Sequence, residues 1–518
     1  MSKKTRQLII ALAVVVVIAA VVTVLCLLPG NGSDSTSSAG SSSTAASSGE
    51  EVTLYDRDEK DIESITVKND NGEFVFKPTT KTESDGTIDF AVEGYENLNV
   101  SNSVVSGIAQ FGQKLRILKE IGETDRLADY GLTDPAARYT VKYKDGSSVT
   151  VLLGSTLNSN ANQRYAVEEG KKTVYAVSAD AMVNVRSTSL LSTTLISAAT
   201  TNQSSGESTC PTFGYIRISG RDHEDPIEIY PTSQLTMDAT SPLKMFTYYI
   251  DGKTKLPLYS SATEKYLLDM CTVTATDIAA VNPTEAQLKE YGMDDPIVLR
   301  FQTVETDSDN QETKKEYNLK VGTIDEQNQT AYAMIDGVNV VYVVGMSKLS
   351  VLTMSAYDMR DTLLYIVNAD SVETFELDMN GQHYEFDHER TERVSSSSSQ
   401  ASSGTASSVV YDYTTYYNGE ELTMFSKFYQ QFLSAYKQEP FTDLDSKGDL
   451  LFTLTLKHYP ECEKKETVFK VYQCATNDRR VVFEVDGEIQ GLVKSTWASA
   501  CMDAVDKLLK GEEITVVS

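Results

Sequence analysis

The four histidines are the side chains best suited to acid–base or metal chemistry, and the sequence supplies them with no evident partners. They are His223, His383, His388 and His458. Although Glu389 follows His388, no histidine stands four residues after His388, so the H-E-x-x-H pair of zinc peptidases is missing. We predict that none of the four binds a metal or acts as a catalytic base, and that His383 lies on the surface of a hairpin.

Two other patterns resemble functional motifs but lack an essential part. Ser434 and Lys437 have the S-x-x-K spacing of penicillin-recognising enzymes, yet the companion K-T-G is missing. Asp443 and Asp445 resemble the start of a calcium-binding EF-hand loop, but Lys447 occupies the third ligand position and a leucine replaces the bidentate glutamate. No nucleophile elbow, P-loop or dinucleotide-binding glycine pattern occurs. The sequence therefore predicts no catalytic, cofactor-binding or metal-binding residues.

We thus expect a protein that is not an enzyme and uses no cofactor. The alternative is a hydrolase whose carboxylate pair or histidine-paired nucleophile is assembled from distant positions. Cysteine usage gives no redox motif, because the sequence contains no C-x-x-C and too few cysteines for a disulfide framework. The cysteines outside the apolar N-terminal segment are Cys210, Cys271, Cys462, Cys474 and Cys501. A pairing of Cys462 with Cys474 across a hairpin stays open.

The charge of the chain excludes one class of partner. There are 74 acidic and 46 basic side chains, which gives a formal net charge of −28. Such a surface repels phosphate backbones, so we predict no binding to nucleic acid. The 28 tyrosines, against one tryptophan, favour half-buried sheet positions and therefore a β-rich structure.

An uncharged apolar run from Leu8 to Leu28 is long enough to cross a hydrocarbon core of about 30 Å as a helix. Lys3, Lys4 and Arg6 precede it, and no basic residue follows until Arg57, so the N-terminus is predicted to be cytoplasmic. A cleaved signal peptide is the alternative, although its apolar stretch usually has only about 7–15 residues. We therefore expect a single-pass protein of the cell membrane with an extracytoplasmic C-terminal part. The predicted segments are a basic tail over 1–7, a transmembrane helix over 8–28 and a Ser/Gly-rich linker over 29–50.

The rest of the chain contains an internal repeat. A segment that includes Tyr130, Gly131, Asp134 and Pro135 recurs later with Tyr291, Gly292, Asp295 and Pro296. Glycine permits the left-handed turn that ends a helix, and proline biases the residue before it towards an extended conformation. We interpret the motif as a structural joint between a short helix and a strand.

A third, divergent copy lacks this joint but keeps the opening hairpin. The hairpin signal Asn71-Gly72 of the first copy recurs as Asn380-Gly381, and apolar spacing predicts a helix over Val104–Ile121. The predicted fold class is α+β, with an N-terminal transmembrane helix followed by tandem repeated units of antiparallel β-sheet with packed helices. The predicted units are 51–200, 207–366 and 367–518, the last with a disordered Ser-rich insert over 394–408.

Several of these features together resemble a known family. They are the anchor, the Tyr-Gly-Leu-x-Asp-Pro joint, the strand pair around Asp145-Gly146, Gly154 and the segment Val174–Val177. The chain resembles bacterial proteins catalogued as domain of unknown function 4340, most clearly over 60–190 and more weakly over 212–366. The resemblance implies a membrane-anchored envelope protein of the kind thought to accompany ABC-type export or gliding-type transporter subunits. The family brings no established catalytic residues, so none is transferred.

We therefore expect a non-catalytic extracytoplasmic protein that contacts envelope components or ABC-type transporter subunits through its sheets. The alternative is a ligand-binding protein that holds a glycan or a peptide in a cleft between units. The segment Tyr411–Tyr417 is expected to form an edge strand with alternating exposed tyrosines, or else to stack on sugars.

Overall fold

The computed structural model describes residues 52–82, 88–158, 160–202, 204–258, 260–393 and 410–517. The predicted basic tail, transmembrane helix, linker and Ser-rich insert all lie outside these residues. Among the helices in the described ranges, none is both long enough and apolar enough to cross a membrane.

Antiparallel sheets with one buried face form most of the described chain, as the alternation of apolar and polar residues predicts. In the strand Ala137–Tyr143, for example, Tyr139 and Val141 are fully buried, whereas Arg138 and Lys142 point to solvent. Each of the three large sheets has its own apolar core.

The first sheet has eight strands, in the order β4-β3-β2-β7-β8-β9-β10-β6. A small pair, β1 with β5, lies beside it. The elements are β1 (Thr53–Asp56), β2 (Ile62–Asn69), β3 (Gly72–Thr82), β4 (Ile88–Val92), α1 (Asn102–Gln113), β5 (Lys114–Arg116), β6 (Lys119–Glu123), β7 (Ala137–Tyr143), β8 (Ser148–Leu157), β9 (Asn160–Glu168), β10 (Thr173–Val177) and α2 (Asp180–Asn184).

The second sheet has nine strands, in the order β16-β15-β14-β13-β18-β19-β20-β21-β17, and follows the short pair β11 and β12. The elements are β11 (Thr200–Thr201), β12 (Ser208–Thr209), β13 (Thr212–Gly220), β14 (His223–Pro231), β15 (Tyr248–Asp251), β16 (Leu256–Pro257), α3 (Ser260–Met270), β17 (Ala275–Val281), α4 (Glu285–Glu290), β18 (Ile297–Thr306), β19 (Glu312–Asp325), β20 (Thr330–Ile335), β21 (Val340–Gly345) and α5 (Ala356–Met359).

The third sheet has eight strands, in the order β25-β24-β23-β22-β26-β27-β28-β29. The elements are β22 (Val372–Met379), β23 (Gln382–Arg393), β24 (Val410–Tyr417), β25 (Glu420–Glu421), α6 (Phe425–Leu433), β26 (Lys447–His458), β27 (Glu466–Cys474), β28 (Arg480–Val485), β29 (Glu488–Lys494) and α7 (Ser495–Lys510).

One strand order runs through all three sheets. In each sheet, an opening hairpin is extended on one side by a third strand and on the other side by four strands in sequence. Along the chain, a helix (α1, α3 or α6) lies between the third strand and these four. The first two sheets add one more strand, β6 or β17, beside the last of the four. In the third sheet that position is occupied by an irregular segment, where Gln438 N donates to Leu492 O and Leu492 N donates to Glu439 O, both at 2.9 Å.

The helix predicted over Val104–Ile121 was wrong in its second half. The helix ends at Gln113, and the chain then forms β5 and β6. These strands satisfy backbone groups of β1 and β10, which no helix could reach. Tertiary pairing has therefore overridden an apolar spacing that suited a longer helix.

Neighbouring sheets are connected by two similar junctions. After the first sheet, Leu191 forms a backbone bridge to Val100, and Thr194 forms one to Thr274 in the second. After the second sheet, Arg360 bridges to Leu258 and Leu363 bridges to Tyr436 in the third. In both junctions the connecting segment first pairs with the residue that lies just before the helix of its own sheet. Three residues later it pairs with a residue that follows the helix of the next sheet.

Candidate functional site

Ser434 and Lys437 each bond to backbone carbonyls, so the two side chains do not form a reactive pair. The Ser434 hydroxyl is buried and donates to Gln431 O at 2.7 Å. The Lys437 ammonium donates to the carbonyls of Tyr357, Asp358 and Arg360 at 2.7–2.9 Å. Because all three ammonium protons are bonded to backbone oxygens, this lysine has no free lone pair with which to activate a hydroxyl.

Carboxylates near the calcium-like motif serve local structure. Both the backbone N–H and the hydroxyl of Thr442 donate to the carboxylate of Asp445 at 2.9 Å, which closes a turn. Lys447 forms an ion pair with Glu484. Asp445 and Lys447 therefore both have partners within the protein.

One group of metal-type ligands does come together within the described ranges, on the solvent face of the β22–β23 hairpin. Ligand atoms of Glu376, His383 and Glu385 lie within 4.8 Å of one another. Two of the three are already engaged, because Lys457 pairs with Glu376 and His383 Nδ1 lies 2.8 Å from Asp378. His383 is half exposed and lies opposite Asp378 across the hairpin, as predicted for a surface histidine, whereas Glu376 lies opposite the like-charged Glu385.

Each of the five cysteines in the described part of the chain is a free thiol, including Cys462 and Cys474. Four of them are buried, and burial raises the pKa of Cys271 to about 12. Such thiols are poorly reactive at neutral pH.

Both copies of the repeated joint adopt the same helix-terminating turn. Gly131 N donates to Ala128 O and Leu132 N donates to Leu127 O, with Gly131 in the left-handed region at a φ of 68°. The second copy repeats this pattern at Gly292, whose φ is 72°. The pair of bonds is the Schellman arrangement, in which glycine avoids the strain of a side chain. Asp134-Pro135 and Asp295-Pro296 then lead into β7 and β18.

The joint closes against a second glycine that lies within a strand. A Cβ on Gly154 of β8 would come 2.2 Å from Tyr130 O, and one on Gly322 of β19 would come 2.0 Å from Tyr291 O. Both glycines lie at an irregularity in strand pairing, between Leu153 and Thr156 in β8 and between Val321 and Ile324 in β19. The joint is therefore a packing device that needs two glycines per copy.

The third sheet carries a different feature, a two-stranded extension that we call the β23–β24 ribbon. β22 pairs with β23 only as far as Asp387, whereas β24 pairs with β23 to its end at Arg393. The ribbon thus comprises His388–Arg393 and Val410–Thr415.

Arg390 fixes the ribbon to the body of the third sheet. Its guanidinium lies 3.8 Å from the ring centroid of Tyr459 and 4.8 Å from that of Tyr411. It also donates to Asp370 O at 2.6 Å and forms an ion pair with Glu461. A cation held by two rings, a carbonyl and a carboxylate makes the ribbon a preformed element.

Among the described residues, no strand covers the outer edge of β24 over most of its length. Its inner side pairs with β23 throughout, but its outer side pairs with β25 only at Tyr416 and Tyr417. Leu422 N donates to Thr415 O, which places the backbone groups of Thr415 on the outer side. Because these groups alternate along a strand, Tyr413 and Tyr411 also direct their N–H and C=O outwards. No strand of the described chain pairs with that side of either residue.

The open edge carries charge of one sign. Between Val410 and Glu421 the sequence contains Asp412, Glu420 and Glu421 and no lysine or arginine. Glu420 and Glu421 belong to β25, so the acidic residue along the open part of β24 is Asp412.

The tyrosines of β24 are mostly engaged within the protein. Tyr413 is 37% exposed and stacks on His388 with centroids 5.0 Å apart. Tyr417 packs on Tyr384 and Phe386. Since the rings are occupied, the open surface of this strand is its backbone, a feature that the sequence pattern of alternating tyrosines did not reveal.

His388 is expected to make the third sheet acid-sensitive. It is buried against Phe375 and Tyr413, and burial lowers its pKa to about 4. In the unfolded chain His388 takes up a proton near pH 6.5, whereas in the folded chain it stays neutral down to about pH 4. The free energy of unfolding is therefore highest above about pH 7 and decreases as the pH falls towards 4. The expected loss between pH 7 and pH 4.5 is about 2–3 kcal/mol. Urea unfolding followed by the fluorescence of Trp497, in the same core, measures it.

The matched variants are His388→Phe, which keeps a ring in the stack, and His383→Gln, which changes an exposed histidine. His388→Phe should reduce the pH dependence of the free energy of unfolding. The smaller remaining part is due to His458, because burial lowers the pKa of that residue as well. An unchanged pH dependence in His388→Phe would show that this residue is not the origin.

Over its described residues, the chain thus consists of tandem antiparallel sheets with a repeated glycine packing motif and an open strand edge at β24. The chain belongs to the family described as domain of unknown function DUF4340, whose family model matches residues 91–202 and 249–425, more than half of the chain. This confirms the resemblance drawn from the joint. No curated protein and no solved structure is significantly similar to the chain.

Proposed function

We propose that this protein is a non-catalytic, membrane-anchored, extracytoplasmic binding protein that receives an extended segment of an envelope partner along the outer edge of β24. The predicted anchor at Leu8–Leu28 holds three tandem copies of one ancestral unit outside the membrane. The partner we favour is a subunit of an ABC-type transporter, as the family resemblance implies.

The observation that carries the proposal is the open backbone at Tyr411 and Tyr413 on a ribbon that is already ordered. Addition of a strand to such an edge supplies main-chain hydrogen bonds without prior rearrangement of the acceptor. Unprotected edges invite non-specific pairing, and proteins usually cover, shorten or charge them. An edge kept open and acidic therefore suits a selected, basic strand.

Two other strands near sheet edges offer less. In the first sheet β4 has only five residues, and α1 packs beside it. In the second sheet β15 is covered by β16 over part of its four residues. The seven-residue β17 ends the other side of the second sheet, whereas β24 has eight residues and stands on a ribbon that Arg390 fixes to the third sheet.

The proposed topology predicts a simple outcome with intact cells. A protease added outside should remove a C-terminal epitope tag completely, while a tag placed before Lys3 stays on a small membrane-bound fragment. Cell lysis should expose both tags, which controls for protease access. Survival of the C-terminal tag on intact cells would place residues 51–518 in the cytoplasm and end the proposal.

Photocrosslinking tests the partner. A photoreactive residue at Asp412, beside the open edge, should give one major adduct in native membranes, identified by mass spectrometry as a membrane protein of the envelope. The same residue at Lys470, in β27 between two paired strands, should give little adduct. Equal adduct patterns from the two positions would remove the support for a specific edge.

A further inference from the structure

Four side chains of metal-ligand type form a square on the solvent face of the β22–β23 hairpin. Glu376 pairs with Glu385 across the two strands, and Asp378 pairs with His383 at the next position on the same face. Side chains in such neighbouring pairs lie close together. The sequence did not indicate this group, because its members have no metal-binding spacing and only the hairpin aligns them.

Asp378 fixes the orientation and the tautomer of His383. Nδ1 of His383 lies 2.8 Å from Oδ1 of Asp378. Because an ionised carboxylate only accepts hydrogen bonds, Nδ1 carries the hydrogen, and Nε2 of the neutral ring keeps a lone pair. An imidazole that donates one nitrogen to a carboxylate and presents the other is the usual arrangement around a protein-bound metal ion.

The free nitrogen of His383 faces acceptors. Its Nε2 lies 4.0 Å from Oε2 of Glu385, which is too long for a hydrogen bond. Ligand atoms of His383, Glu385 and Glu376 all lie within 4.8 Å of one another. A lone pair and two carboxylates at these separations have no hydrogen to share, and a cation between them satisfies all three.

Negative charge predominates at the hairpin face. Among the described residues, Lys457 supplies the only ammonium or guanidinium within 4.0 Å of the carboxylates of Glu376, Asp378 and Glu385. Lys457 pairs with Oε1 of Glu376, which leaves Oε2 for another cation. Like charges directly opposite each other destabilise a strand pair, so a cation shared by Glu376 and Glu385 removes a cost that Lys457 offsets only in part.

We propose that Glu376, His383 and Glu385 bind a zinc ion, with a water molecule as the fourth ligand and with Asp378 holding the imidazole in place. Zinc accepts one nitrogen and two carboxylate oxygens, whereas calcium and magnesium prefer oxygen ligands alone. Ligand atoms around tetrahedral zinc are about 3.3–3.5 Å apart, so these partly or fully exposed side chains need to move by only about 1 Å. The ion ties β22 to β23. This site is independent of the β24 edge, and either can fail without the other.

Calorimetric titration of the full chain in detergent with zinc chloride tests the site. Physiological salt and excess magnesium suppress general attraction of cations to a chain of net charge −28, and slightly alkaline pH keeps the imidazole neutral. One zinc ion should bind saturably, and His383→Gln should weaken binding at least tenfold. Asp378→Ala should weaken it about tenfold, the cost of losing a group that orients a ligand. Asp378→Asn should restore part of the affinity, because its amide oxygen can still accept from Nδ1.

The matched control removes the same charge from the same strand. Asp387 is exposed, lies two residues beyond Glu385 on the same face of β23 and pairs with Thr374. Asp387→Asn should bind zinc within about twofold of the original chain, whereas Glu385→Gln should bind it at least tenfold more weakly. Equal weakening by the two variants would reveal general attraction of cations to an acidic face and would overturn the proposal.

Chemical modification provides a measurement on the unchanged chain, which does not depend on the folding of any variant. Diethyl pyrocarbonate acylates accessible imidazole nitrogens, and mass spectrometry locates each product. Free zinc at ten times its dissociation constant should slow the modification of His383 about tenfold. His223, whose Nε2 lies 2.8 Å from Leu352 O, should react equally with and without zinc. Lack of saturable zinc binding, or modification of His383 at the same rate with and without zinc, overturns the proposal.

Discussion

Replacing Tyr413 by proline is expected to lower the yield of the Asp412 photocrosslink at least tenfold. The Tyr413 N–H faces outwards, so proline removes a donor that a partner strand needs while the inward ladder to β23 continues at the neighbouring residues. One lost main-chain hydrogen bond and the steric block of the ring together cost about 1.4 kcal/mol or more, which is a factor of ten in binding. The adduct yield in native membranes measures the effect.

The control for this variant is Tyr413→Thr. Both substitutions lose the ring that stacks on His388, but threonine keeps the outward N–H and suits a strand. The threonine variant should therefore crosslink within about twofold of the original chain. If both variants lose the adduct equally, the partner recognises the aromatic ring, and strand addition at β24 is refuted.

Gly154→Ala is expected to destabilise the first sheet by about 3 kcal/mol, near the upper end for overpacking. The new methyl would meet the backbone carbonyl of Tyr130 and the carbonyl carbon of Gly131, neither of which can rotate away. Hydrogen exchange of β7, β8 and β9 in the full chain measures the loss as faster exchange of all three strands. Gly322→Ala should act in the same way on the second sheet.

Gly107→Ala is the matched control for this steric argument. Gly107 lies in α1, where a Cβ would meet no atom within 4 Å, so alanine should stabilise that helix by about 0.5–1 kcal/mol. If Gly154→Ala were tolerated as well as Gly107→Ala, the joint would not close against the strand as described.

The joint illustrates what the sequence could and could not predict. Local chemistry predicted a helix end with a left-handed glycine, and Gly131 and Gly292 have that conformation. The sequence also marked Gly154 and Gly322 as recurring landmarks, but nothing local related them to the joint. Only the folded sheet brings each strand glycine against the carbonyl of a tyrosine more than twenty residues earlier. Such contacts are long-range, and residue periodicity carries no information about them.

Functional features were harder to predict for a similar reason. The open edge of β24 depends on which strands do not pair, and this is a property of the whole sheet. By contrast, the antiparallel sheets follow from alternation and hairpin signals, which are local.

Hydrogen exchange of Val410–Thr415 in native membranes, compared with the purified chain, tests the central claim most directly. The outward amides of Tyr411 and Tyr413 should exchange at least tenfold more slowly in membranes, where a partner strand accepts their hydrogen bonds, while β29, already covered by Gln438 and Glu439, should not change. Identical exchange of Val410–Thr415 in both preparations would contradict the assignment of β24 as a partner-binding edge.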